Sequence, residues 1–157
     1  MSAIKSFLLA IEMATRKRDQ ANQDAMHVQS GHLFAQNQLT QLETYAAETE
    51  SRWTAAAQIS TSPELMRHHY QFMGRLHHAI GLQQGVLDNE SRKVEYAKRL
   101  VLEAEFRLVS LKQALKKKQA DMTILQSRRE QKQMDEFASL RSRQLTDRYS
   151  LESDYEH

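Results

Sequence analysis

Four histidines stand in two adjacent pairs, His68 with His69 and His77 with His78, and imidazole is the commonest side-chain ligand for a transition metal. Two imidazoles on one helix can share an ion when they are three or four residues apart and so face the same way. No two of these four have that spacing, so they read as a solvated or partner-facing stripe, and no metal site is expected. The chain has no cysteine, which excludes a thiol nucleophile, a thiolate metal site and a disulfide framework. Phosphate-loop, dinucleotide-binding and zinc-protease motifs are also absent. The expectation is a non-enzymatic protein with no catalytic residues and no cofactor.

Cations are the next candidates. Lys116, Lys117 and Lys118 with Arg128, Arg129 and Lys132 form a basic run that could face nucleic acid. Asp121, Glu130, Asp135 and Glu136 interleave with it, no exposed aromatics accompany it, and the whole chain carries a formal net charge of only +2. A solvated or protein-binding face fits better than nucleic acid. The apolar patch Phe7 to Ala10 is cut short by Glu12, and basic residues follow it where a signal peptide would have them first. No run approaches the roughly 20 apolar residues that span a bilayer. A cytoplasmic protein is expected, without membrane insertion and reaching a membrane only through a partner.

The elements that carry these residues follow from composition and period. Four glycines, one proline and 7% aromatic residues in 157 argue for an all-α chain. The one clear break is "ISTSPEL", where Ser62 precedes Pro63 and Glu64, a combination suited to the first turn of a new helix. Before it, steps of three and four trace a seam through Ile4, Phe7, Ile11, Ala14, Arg18, Ala21, Ala25, Val28, His32, Ala35, Leu39, Leu42, Ala46, Thr49, Trp53 and Ala56. After it, the same steps run from Met66 and His69 through Met73, Leu76, Ile80, Gln83, Leu87, Glu90, Val94, Ala97, Val101, Ala104, Leu108, Leu111 and Leu115 to Lys118, Met122 and Leu125.

Folding back at Pro63 as a long two-helix antiparallel coiled-coil hairpin sets Ala56 near Met66 and Ile4 near Lys118. The second helix then outlasts the first as a C-terminal helix overhang, because in-register positions turn into Arg129, Lys132 and Glu136 after Leu125. The expected layout is a single coiled-coil domain over 1–157, with helices at about 3–58 and 64–148, a turn at 59–63 and a frayed acidic tail at 149–157. Gly74, Gly81 and Gly85 predict a pliable start to the second helix, where a break is possible.

Near the turn, Gln38, Tyr45, Phe72 and Ala79 flank the seam residues Leu42 and Leu76, and the antiparallel register brings the two sets alongside one another. Tyr45 and Phe72 have no place in a two-helix seam. They mark either a binding hot spot or the docking of a third short segment.

The ordered stretches "LLAIEMATRKRDQA", "LHHAIGLQQGVLDNESRKVEYAKRLVLEAEFRLVSLKQA" and "REQKQMDEFA" (Arg129 to Ala138) resemble the FliJ family of the flagellar type III export apparatus across nearly the whole chain. The resemblance implies a two-helix antiparallel coiled coil, similar to the central stalk of rotary ATPases, acting as a non-enzymatic export component. It implies helix ends that contact the hexameric export ATPase, here Arg129, Glu130, Gln131, Lys132 and Glu136 with Arg16 and Arg18. It further implies contact with the cytoplasmic domain of the membrane export gate through Gln38, Leu42, Tyr45, Phe72, Leu76 and Ala79, handling of export chaperones, and a peripheral place at the inner membrane beneath the flagellum. Thr49 and Gln83 depart from the aromatic and histidine expected further along the gate-facing surface. A stalk of a virulence type III system and a general coiled-coil scaffold or chaperone are the alternative readings.

Overall fold

A computed structural model describes residues 2–156. Helix α1 covers Ser2–Ile59 and helix α2 covers Pro63–Tyr155, and no strand is present among the described residues. Ser62 is the N-cap of α2: its Oγ accepts a hydrogen bond from the Leu65 amide at 3.2 Å, and its carbonyl accepts one from the Met66 amide at 3.0 Å. Pro63 follows at the position where a missing amide hydrogen costs nothing, and Glu64 places a carboxylate in the first turn. At the other side of the connection, the Ser60 amide donates to Ala56 O at 3.1 Å and closes α1.

The chain divides into two compact units, one being Glu12–Leu108 and the other joining residues 1–11 to 109–157.

The Glu12–Leu108 unit is an antiparallel hairpin. Ala14, Ala25, Ala35 and Ala46 of α1 are buried against a seam of α2 that buries His69, Met73, Leu76, Ile80, Ala97 and Leu108. Alanine lets the helices approach closely at the cost of little buried area per layer, so the core is thin. Its densest part is near the turn, where Ala46, Met73, Leu76 and Ile80 cluster with Leu39 and Leu42 packed on them.

Several polar residues on the seam find partners. His32 Nε2 lies 3.0 Å from Ser91 Oγ, and Gln83 Nε2 donates to Ala35 O at 3.0 Å and to Gln38 Oε1 at 3.3 Å. Lys93 donates to Glu90 at 3.1 Å, and Arg18 pairs with Asp19 at 2.9 Å. His32 and Gln83, which bond across the helices, cost stability and fix the register, because a slipped pairing would strand them.

Contacts between the helices lie close to the expected register. Cross-helix partners Gln83 with Ala35, His69 with Glu50, His32 with Ser91 and Trp53 with His69 have residue numbers that add to 118, 119, 123 and 122, a spread that includes the 122 of Ala56 with Met66. The last layer before the turn is Trp53 with His69, while Ala56 and Met66 are exposed.

In the other unit, Ile4, Phe7, Ala10 and Ile11 are half-buried, as are Ser110, Leu111 and Leu115. From Lys116 to Glu156 every residue is exposed. The seam expected to reach Leu125 therefore stops at Leu115; Met122 and Leu125 continue the period, and burial ends all the same.

Two further expectations change. No break occurs at the glycines of α2, and a Cβ built at Gly74, Gly81 or Gly85 meets nothing within 4 Å, so these residues lie on an open face. The expected frayed tail at 149 is helical as far as Tyr155. No glycine or proline interrupts it, and Thr146, Ser150 and Ser153 hydroxyls bond back to carbonyls three or four residues earlier.

Candidate partner-binding surfaces

The residues near the turn separate into a core and a surface. Leu76 is 8% exposed and belongs to the central apolar cluster, Leu42 packs on that cluster, and Ala79 is half-buried. Tyr45 and Phe72 meet edge to face, ring centroids 6.2 Å apart and planes at 84°, and are 49% and 37% exposed. Gln38 is exposed and holds Gln83. The accessible part of the six-residue patch is thus Gln38 with the Tyr45–Phe72 pair, and its two leucines serve as the floor. Thr49 and Gln83 are half-buried, Gln83 being engaged with α1.

One arrangement close to this patch escaped the sequence reading. His69 is buried, stacks on Trp53 with centroids 4.4 Å apart and planes 10° from parallel, and places Nε2 2.9 Å from Glu50 Oε2. The seam period placed both Trp53 and His69 on the inner face, and pairing Ala56 with Met66 already sets them opposite one another; the ring stack and the bond to Glu50 are what spacing does not show. The other paired histidines, His68, His77 and His78, are exposed. Among the described residues, no group of three or more His, Cys, Asp or Glu is placed to hold a metal ion.

The residues expected at the ATPase fall in both units. Arg16 and Arg18 lie in Glu12–Leu108, where Arg16 pairs with Glu12 at 2.8 Å and Arg18 is partly shielded beside Asp19. Both pairs are near water and worth at most about 1 kcal/mol each, so they do not lock the arginines in place. Arg129, Glu130, Gln131, Lys132 and Glu136 lie in the other unit, all on the exposed part of α2. Glu130 accepts a long hydrogen bond from Gln126, 3.4 Å.

Depressions on the surface are open grooves. One of about 610 Å³ runs along the hairpin where small residues of α1, Ala21 among them, leave room beside Tyr96 and Leu100. Among the described residues, no helix is long and apolar enough to cross a membrane.

A thin paired seam, aromatic residues left on the outside and a long exposed helix define an all-α protein of coiled-coil type. Comparison with protein families makes the assignment specific: residues 5–145 match the flagellar FliJ protein family, and the chain belongs to that family. Membership makes it a flagellar export-related protein. No curated protein and no solved structure matches the chain.

Proposed function

We propose that this protein is a non-enzymatic, central-stalk-like component of flagellar type III export that binds the hexameric export ATPase and couples it to the export gate. The observation that carries the reading is the uninterrupted exposure of α2 from Lys116 to Glu156. A long helix with no intramolecular partner is suited to an external one, and a surface of interleaved charges and amides, Arg129, Glu130, Gln131, Lys132 and Glu136, matches the polar inner wall of a protein ring. Arg16 and Arg18 add cations from the hairpin. Tyr45 and Phe72, an aromatic pair beside Gln38, have the composition of a hot spot and form the gate contact, with Leu42, Leu76 and Ala79 supporting them from beneath. Export chaperones are further partners in this reading, and the protein works in the cytoplasm at the inner membrane.

A pull-down with the export ATPase tests the first contact. The full chain is expected to retain the ATPase, and a chain ending at Leu125 is expected to lose it while still binding the cytoplasmic domain of the gate. Equal ATPase retention by both chains would remove the exposed helix from the reading.

A further inference from the structure

The exposed part of α2 has two faces. Asp135, Ser139, Ser142, Thr146 and Ser150 turn polar groups to one side, while Met134, Phe137, Ala138 and Leu145 turn apolar groups to the other. On the apolar side the surface is grooved. Glu130, Met134, Phe137 and Arg141 line one shallow groove, and Arg141, Gln144, Leu145 and Arg148 line the next. Met134 is 73% exposed and Phe137 69%, values unusual for side chains that recur at seam spacing. Nothing within the chain covers this face among the described residues, and a helix of about forty exposed residues draws no stability from packing.

The occupant that fits is a second copy of the same helix. Steps of four and three along the grooved face give Glu130, Met134, Phe137, Arg141, Gln144 and Arg148. Running two copies antiparallel about a two-fold axis level with Ser139 sets Glu130 opposite Arg148 of the second copy. Met134 then meets Gln144, and Phe137 meets Arg141, whose guanidinium can cover the aromatic face. Each pairing occurs twice by symmetry. One end of the face carries the anion and the other the cation it needs, so the antiparallel arrangement matches charges. A parallel one would set Glu130 against Glu130 and Arg148 against Arg148. Ala138 and Leu145 flank the seam and widen the apolar contact.

We infer that this face, Glu130 to Arg148, is a self-complementary docking surface through which two copies of the protein pair antiparallel in solution. The pairing stands whether or not the same helix meets an ATPase; where it does, Glu130 serves both contacts and the two exclude one another. The contact is short and holds four arginines in its two seams, which sets a weak affinity, with Kd on the order of tens of micromolar at the low end of specific interfaces.

Sedimentation velocity of the full chain tests this across about two decades of concentration around that Kd. The wild type is expected to shift from monomer to dimer. Glu130→Arg and Arg148→Glu are each expected to be monomeric, the first by setting arginine against arginine and the second carboxylate against carboxylate. Mixing the two single variants restores a dimer, because each supplies the charge the other lacks. Both substitutions lie on the exposed helix, and a circular dichroism spectrum equal to that of the wild type confirms that it stays folded. A wild type that remains monomeric throughout, or a mixture no more dimeric than its components, overturns the pairing and assigns the face to a different partner.

Discussion

Replacing Leu76 by Ala should weaken the Glu12–Leu108 hairpin, whereas replacing Tyr45 and Phe72 should weaken only what binds to it. Leu76 is 8% exposed at the centre of the cluster with Ala46, Met73 and Ile80. Leu→Ala removes three buried carbons, about 2.4 kcal/mol at roughly 0.8 each, and a small further cost arises if the layer does not collapse on the gap. The seam has only two helices and one side of each layer is near water, so collapse is easy and the total stays at about 2–3 kcal/mol, near the low end for core leucines. For a unit of about 100 residues each kcal/mol moves Tm by about 4–8 °C, giving a fall of about 10–20 °C. Phe72, already 37% exposed, loses its edge-to-face contact with Tyr45 in the Tyr45→Ala, Phe72→Ala double variant, at about 1–2 kcal/mol. Thermal unfolding followed by circular dichroism gives the stability of each. Binding to the cytoplasmic domain of the export gate, measured well below both Tm values, gives the second axis. The aromatic variant is expected to lose gate binding while remaining folded, and Leu76→Ala to lose stability while its binding falls much less. A Leu76→Ala protein as stable as the wild type would refute the placement of this side chain in the core.

Other perturbations probe the remaining features. Gly74→Ala, Gly81→Ala and Gly85→Ala are each expected to stabilise α2 by up to about 1 kcal/mol in urea denaturation, since no atom stands within 4 Å of the added methyl. Gly31→Ala should gain less, because its Cβ would lie 3.1 Å from Glu90 Oε2 and that carboxylate, also paired with Lys93, must shift. His69→Ala should red-shift the emission of Trp53, the single tryptophan, and lower stability by about 1–2 kcal/mol through loss of the stack and of the bond to Glu50. Ending the chain at Leu125 should leave the main thermal transition within about 2 °C of the full chain, since the residues removed bury nothing.

Much of this architecture was legible from period alone. On α1 every seam position from Ile4 to Trp53 is at least partly shielded, and on α2 the same holds from His69 to Leu115. Alternation of three and four is a property of the helix itself, so it survives in the sequence without help from the partner. Where the seam stops is another matter. Met122 and Leu125 continue the period of α2 but are exposed, because burial there depends on whether α1 reaches them, and apolar residue types do not record that. The register is only loosely fixed by the seam for a related reason: alanine seams match one another almost equally well in neighbouring alignments. The polar positions that decide between them, Gln83 on Ala35 O and His69 on Glu50, act through hydrogen bonds that have no signature in spacing. Leu76 shows the same limit at the candidate site, where lying on the seam and lying beside the aromatic pair were equally readable and only packing assigns it to the floor.

The exposed helix is the element expected to act on the ATPase. The direct measurement is ATP hydrolysis by the flagellar export ATPase of the same organism, alone, with the full chain, and with a chain ending at Leu125. Stimulation by the full chain that disappears when Gln126 and all that follows are removed is the expected result. An ATPase indifferent to the full chain, or stimulated equally by the shortened one, would contradict it.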